Sequence, residues 1–151
     1  MDVVNRETRS SMMRGIGSRN TKPELLIRKY LFSMGFRYRI NDRKIFGSPD
    51  IVFPKYHAVV FIHGCFWHGH ECELFKLPET HTEFWKEKIE TNRDRDVKVL
   101  NQLRSEGWRI CILWECAVKG KAQLQKLDTT VCKIAEWVRS EYVWMEIKRD
   151  S

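Results

Sequence analysis

Cys65, His68, His70 and Cys72 fall within eight residues, in the run CFWHGHEC. Thiolate and imidazole are the ligands zinc prefers, and four of them close a tetrahedral site. Two cysteines and two histidines in so short a span point to a bound metal rather than to buried thiols beside packed histidines. A fifth donor complicates the set. Cys116 follows the end of an apolar run and the polar Glu115, a fitting place for a ligand brought in from a distance. Cys111 and Cys132 sit inside apolar patterns and read as buried thiols. From the residues alone two sets stay open: Cys65, His68, His70 and Cys72, or one that uses Cys116 and frees a histidine for chemistry. The expected metal is a structural Zn2+.

A second group is acidic. Asp50 opens a short strand after Pro49, and the next strand ends in Phe61-Ile62-His63. A carboxylate and a histidine at the edge of adjacent strands can build a divalent-metal site. Mg2+ keeps several waters, so one carboxylate, one backbone carbonyl and phosphate oxygens suffice. Glu24 on the first helix is a candidate additional acid, although its spacing from Thr21 also makes a capping box. Asp50 equally fits a turn aspartate, and His63 a packed histidine.

These groups need elements to hold them. Thr21, Pro23 and Glu24 open a helix whose apolar residues (Leu26 or Ile27, Tyr30 or Leu31, Met34) recur at helical spacing up to Gly35. Phe36, Tyr38 and Ile40 alternate with Arg37 and Arg39, as in a half-buried strand. Asp50–Phe53 and Ala58–Ile62 are expected strands, the second apolar enough for a central position. Residues 63–81 break the pattern. A long helix is expected over about Thr82–Glu106, with Trp85, Ile89, Val99 or Leu100 and Leu103 on one face and a balanced charged face opposite. Trp108–Trp114 reads as a buried strand and about Thr130–Ser140 as a last helix; the tail beyond about residue 140 gives no reading. The order implies one α/β domain with a central sheet and flanking helices.

The composition of the 151 residues is that of an ordinary globular chain, 42% hydrophobic and 31% charged. No apolar run approaches a membrane span, and the polar opening residues lack the core of a signal peptide. Five cysteines without such a signal argue against a disulfide framework. The net charge of +7 is concentrated in residues 1–49, which hold 11 Lys/Arg against 4 Asp/Glu. Residues 1–20, with Arg6, Arg9, Arg14 and Arg19 among small polar residues and no periodicity, read as a basic arm on a domain spanning 21–151. Such a distribution suits a polyanion, most often nucleic acid.

The stretches FIHGCFWHGHEC, LFKLPETHTEFWKEKIETNRDRD and GWRICILWECAV, with the arm TRSSMMRGIGSRNTKPE, resemble the very-short-patch repair endonucleases, the Vsr family. The likeness spans roughly residues 6–120, and HGCFWH and WEC are its most specific parts. It implies a restriction-endonuclease-like fold of the PD-(D/E)xK superfamily. It also implies a Mg2+-dependent enzyme that nicks duplex DNA 5′ to the thymine of a T·G mismatch, the lesion left when 5-methylcytosine deaminates.

By position, Asp50 matches the metal-binding aspartate, and Mg2+ would also use the backbone carbonyl of Ile62. His63 matches a histidine that orders metal-bound water, His68 the general base, and Glu24 a helix glutamate beside the site. The zinc set implied is Cys65, His70, Cys72 and Cys116. Phe66, Trp67 and Trp85 match aromatic wedges, although helical spacing alone would put Trp85 in the core. Met13, Arg14 and Ile16 fall in the DNA-embracing arm, and Lys88 and Asn92 near the mismatched pair. Where the superfamily carries an acid and a lysine on the second strand, this chain has Phe61 and His63, a departure shared by the Vsr family. The likeness further implies a bacterial cytoplasmic enzyme acting at the nucleoid, with mismatch-repair proteins as candidate partners. A monomer is expected because cutting one strand needs one active centre. Two other readings fit the residues: a restriction-type nuclease cutting matched DNA, and a zinc-stabilised DNA-binding module without catalysis.

Overall fold

The computed structural model describes residues 23–70, 72, 75–120 and 122–149. The arm over residues 1–20, with Met13, Arg14 and Ile16, lies outside the described residues.

The first helix, α1, runs Pro23–Ser33 and buries Leu26, Ile27, Tyr30 and Leu31. Pro23 is harmless in the first turn, where its missing N–H has no intrahelical partner to lose. The helix stops where the glycine predicted it: Gly35 N–H donates to Phe32 O and Phe36 N–H to Leu31 O, with Gly35 at φ +96°. These paired bonds satisfy carbonyls that a helix end otherwise leaves open. Then come β1 (Arg39–Ile40), β2 (Ile51–Phe53) and β3 (Ala58–His63). Helix α2 spans Thr82–Ser105, β4 Arg109–Trp114, α3 Gln123–Val138 and β5 Trp144–Ile147.

The five strands form one mixed sheet in the order β1-β2-β3-β4-β5. β1–β2 and β2–β3 pair antiparallel, whereas β3–β4 and β4–β5 pair parallel. A parallel β3–β4 pair needs a crossover, and α2 supplies it. Strand alternation then sorts the core into two faces. Ile51, Phe53, Ala58, Val60, Cys111 and Leu113 pack under α1 and α3. Val52, Val59, Phe61, Ile110 and Ile112 face Leu103 of α2.

Three expectations need correction. Phe36 and Tyr38 do pack into the core, but only Arg39 and Ile40 pair as a strand, and both are exposed. The last helix starts at Gln123 rather than about Thr130 and ends at Val138. Leu127, buried, continues the Val131–Ile134–Val138 stripe backwards through an otherwise polar turn. The tail is not featureless: Trp144–Ile147 adds an edge strand to β4. Arg109 ties that end of the sheet together. Its guanidinium donates to the carbonyls of Trp137 (2.7 Å), Val138 (3.0 Å) and Tyr142 (2.9 Å), closing the C-terminus of α3.

Candidate active site and metal centre

β3 and β4 end level, with His63 opposite Trp114 in the parallel register. The residues two positions beyond each are Cys65 and Cys116, so the register itself brings these thiols together. Cys65 begins a tight turn closed by His68 N–H to Gly64 O (3.2 Å) and His70 N–H to Cys65 O (2.9 Å). Cys116 sits in a short 3-10 turn, Glu115–Ala117. The outcome is a four-donor cluster of Cys65, His70, Cys72 and Cys116, all ligand atoms within 4.8 Å of one another.

The cluster fits a tetrahedral ion. His70 Nδ1 lies 3.5 Å from Cys65 Sγ and 3.7 Å from Cys116 Sγ. Metal–sulfur and metal–nitrogen bonds of about 2.3 and 2.0 Å give a tetrahedral S···N edge of about 3.5 Å. Burial, together with the neighbouring thiols of Cys72 and Cys116, pushes the Cys65 thiol up, and a cation beside it would favour its thiolate. A backbone donor already faces one sulfur, Arg149 N–H to Cys116 Sγ (3.4 Å), and Cys65 N–H donates to Glu115 Oε1 (3.1 Å), which holds the start of the turn. The open choice of ligand set is thereby narrowed, because His68 is turned elsewhere.

His68 Nδ1 lies 2.6 Å from Asp96 Oδ2 on α2. An ionised carboxylate only accepts, so Nδ1 carries a proton, and in the neutral imidazole the lone pair is on Nε2. On its other side His68 stacks on His63, rings 3.8 Å apart and 5° from parallel. His63 is buried, and its Nδ1 finds no hydrogen-bond partner among the described residues. Burial first, then the adjacent His68, lowers its pKa to about 4, partly opposed by Asp96, so it is neutral at pH 7. His63, His68 and Asp96 also lie close enough to suggest a second metal site. The stack argues against one: imidazole lone pairs lie in the ring planes, and two parallel planes do not meet at one ion.

Asp50 stands just before β2. Its Oδ2 accepts the Ile62 N–H at 2.6 Å, which fixes the carboxylate against β3. Burial raises its pKa most; the Ile62 bond lowers it, Glu24 raises it, and Arg28 and His68 lower it. Glu24, in the first turn of α1, therefore acts on Asp50 through the field. A cleft of about 310 Å³ is lined by Asp50, Phe61, Ile62, His63, His68 and Asp96. A second, of about 420 Å³, opens beyond the histidine stack between Arg93, Trp114, Trp144 and Lys148.

The aromatic residues gather on one knob. Phe66 makes edge contacts with Trp67 (5.2 Å) and Trp85 (5.5 Å), and Phe75 stacks on it at 6.1 Å. Trp67 and Phe84 are 48% and 58% exposed, more than core packing allows. Trp85 is half-buried against Phe66 and Trp67 rather than in the main core. Asn92 Nδ2 donates to Trp67 O (2.9 Å), so this residue holds the knob to α2. Lys88 is exposed on the same helix. Gly69 lets the turn approach α2: at φ +62°, an added Cβ would lie 2.7 Å from Ile89 Cγ2 and 3.0 Å from Arg93 Cδ.

Asp96, Phe75 and Phe84 were not singled out from sequence. Asp96 had a signal. Ile89, Asp96, Val99 and Leu103 fall on one helical stripe, and an acid on an apolar stripe calls for a partner.

The chain is similar to known proteins along most of its length. Residues 1–74 match the family model described as DNA mismatch endonuclease Vsr. A type II nicking enzyme of Neisseria meningitidis is 50% identical over 121 residues, covering 80% of this chain and 86% of that protein. The DNA mismatch endonuclease Vsr of Escherichia coli is 43% identical over 140 residues, covering 93% and 89%. A type II nicking enzyme of Xanthomonas oryzae is 41% identical over 124 residues, covering 82% and 91%.

Proposed function

The chain belongs to the Vsr family of DNA mismatch endonucleases, and on that premise we propose that it nicks one strand of duplex DNA 5′ to the thymine of a T·G mismatch. The observation that carries this is the His68–Asp96 pair beside the half-buried Asp50. Asp96 holds the His68 imidazole in the tautomer that leaves Nε2 free and stabilises the imidazolium once a proton arrives. Nε2 is then the base that takes the proton of the attacking water. Asp50, fixed by the Ile62 N–H, and the Ile62 carbonyl would hold Mg2+, which supplies Lewis-acid stabilisation of the phosphodiester. Neutral His63 presents polar ring atoms without charge, suited to ordering water, and Glu24 adds negative potential from α1.

In this reading Zn2+ occupies Cys65, His70, Cys72 and Cys116 and fixes the turn that carries His68, Phe66 and Trp67. Those aromatics, with Trp85, insert where a mismatch makes unstacking less costly. Lys88 and Asn92 lie close by on α2. The arm over residues 1–20, with Met13, Arg14 and Ile16, embraces the duplex, and residues 21–151 form a nuclease domain of the restriction-endonuclease-like superfamily. The protein acts as a monomer in a bacterial cytoplasm, with mismatch-repair proteins as candidate partners.

The test is a nicking assay on T·G and T·A duplexes, with Mg2+ present or omitted. Omission is preferable to a strong chelator, which would also strip the Cys/His cluster. Wild-type protein should cut one strand of the T·G duplex only, and only with Mg2+. Asp50→Ala and His68→Ala should each lose at least about 10²-fold in rate while still binding. Cutting of both strands of matched DNA would favour a restriction-type nuclease. Binding without any cut would favour a non-catalytic module.

A further inference from the structure

Two tryptophans bracket β4, and each stacks on a histidine. Just before the strand, Trp108 lies on His57, rings 3.8 Å apart and 10° from parallel. At its end, Trp114 lies on His70, rings 4.1 Å apart and 8° from parallel. The second stack stands in a corner. Trp114 also makes edge contacts with His63 (5.2 Å, 73°) and His68 (6.2 Å, 74°). One indole therefore borders both a donor of the Cys/His cluster and the imidazole paired with Asp96.

What holds that indole comes from the tail of the chain. Trp114 Nε1–H donates to Glu146 Oε2 at 2.9 Å. Parallel pairing sets Glu146 opposite Ile112, and Trp114 follows Ile112 on the same face of β4. Trp114 is only partly buried, so packing alone does not fix its tilt. The indole has a single donor, and here that donor is tied to a carboxylate on the neighbouring strand. The bond on one edge and the histidine on one face together select one orientation of the ring.

We infer that Trp114, held by Glu146, is a positioning residue that joins the Cys/His cluster to the His63–His68 stack. Its face sets the plane of His70, whose Nδ1 lies 3.5 Å from Cys65 Sγ and 3.7 Å from Cys116 Sγ. Its border limits where His68 can lie. The consequence for cutting rests on the reading of His68 as the base. Groups that orient a metal-ligating imidazole are worth about 10–100-fold in affinity or activity.

The test compares wild type with Trp114→Phe, Glu146→Leu, the double variant of these two, Glu146→Gln and Trp108→Phe. Three quantities are read: the rate of Zn2+ release from Zn2+-loaded protein to a chromogenic chelator, the NMR resonance of the His68 Nδ1 proton, and the single-turnover nicking rate on a T·G duplex. Trp114→Phe and Glu146→Leu should each speed Zn2+ release and slow nicking by about 10-fold or more. Each should also move the His68 resonance, with duplex affinity unchanged. The double variant should be no worse than either single one, because both remove the same bond. Glu146→Gln should retain most of the wild-type behaviour, since its amide oxygen still accepts the indole N–H. Trp108→Phe should lower the urea midpoint and leave all three quantities alone.

Wild-type values of all three in Trp114→Phe and Glu146→Leu would overturn the inference. So would a change confined to one side, Zn2+ release without the His68 resonance or the reverse. A fall in urea midpoint alone, as for Trp108→Phe, would mark Trp114 as a packing residue. Protein that takes up no Zn2+ would overturn the inference too. Zn2+ release and the His68 resonance do not depend on cutting. If both respond as expected but wild type nicks no T·G duplex, the nickase reading fails and the coupling stands.

Discussion

The two faces of the sheet are built on opposite terms. Under α1 and α3 the packing is continuous, and α3 alone turns Leu127, Val131, Ile134, Ala135, Trp137 and Val138 inward. Across the sheet, α2 buries only Ile89 and Leu103 along its 24 residues. Positions on its inner stripe that would complete a core are given to Asn92 and Asp96 instead. The strands beneath respond in kind: Val59 and Phe61 are followed on the same face by His63, and Ile110 and Ile112 by Trp114. One face supplies stability from apolar area; the other gives up that area for chemistry and needs another source of order. The Cys/His cluster stands at that end of the sheet, where apolar packing is thinnest.

The largest expected effect tests that division directly. Structural zinc in small sites contributes on the order of 10 kcal/mol to folding. Metal-free protein, or Cys116→Ser, should lose near-UV circular dichroism from Trp67, Trp85 and Trp114 and lose nicking. The far-UV signal of α1 and α3 should largely persist. Metal-stripped protein with unchanged near-UV spectrum and melting would show that the cluster is not what orders this face.

Next in size is Leu31→Ala on the opposite face, where a fully buried leucine truncated to alanine costs about 2–5 kcal/mol. Urea unfolding should report that loss, and the single-turnover nicking rate of the folded fraction should match wild type. A comparable fall in that rate would mean the two faces are coupled. Asp96→Asn should do the reverse. Nicking should drop by about 10²-fold or more, since the amide no longer fixes the His68 tautomer, with little change in the urea midpoint. Gly69→Ala should cost about 1–3 kcal/mol from a left-handed backbone and the clash with Ile89. Trp67→Ala should cost about 0.5 kcal/mol or less in stability, because the ring is half exposed, yet weaken duplex binding by about 1–3 kcal/mol if it stacks on a base. An equal loss in both measurements would make Trp67 a packing residue.

Much of the layout was legible because it rests on local pattern. Gly35 and Gly107 stop their helices with the same pair of backbone bonds, Gly107 N–H to Arg104 O and Trp108 N–H to Leu103 O. Ala58–Ile62 read as a central strand because nothing polar interrupts it. What escaped was non-local. β5 is an edge strand whose outward residues Trp144 and Glu146 face the open cleft, so its alternation mixes aromatic and acid and resembles neither a core strand nor a surface loop. The polar first turns of α3 hide a helix because only Leu127 marks its inner side. Asp96 was one acid among several on a charged helix; only the fold brings it 2.6 Å from His68. The choice of Cys116 over His68 at the metal cluster is likewise set by the β3–β4 register, which no spacing within residues 65–72 reveals.

That register has a consequence in time. A ribosome delivers this chain from its N-terminus, at about 5–20 residues per second. Cys65, His70 and Cys72 emerge together, but the fourth donor arrives more than forty residues later, after α2 and β4. Until β4 docks beside β3, a metal ion meets three donors on a loose loop; afterwards it meets four on a fixed frame. Tight metal capture at this cluster would therefore be a late event in biosynthesis, completed only once the central pair of strands had been joined in the correct register.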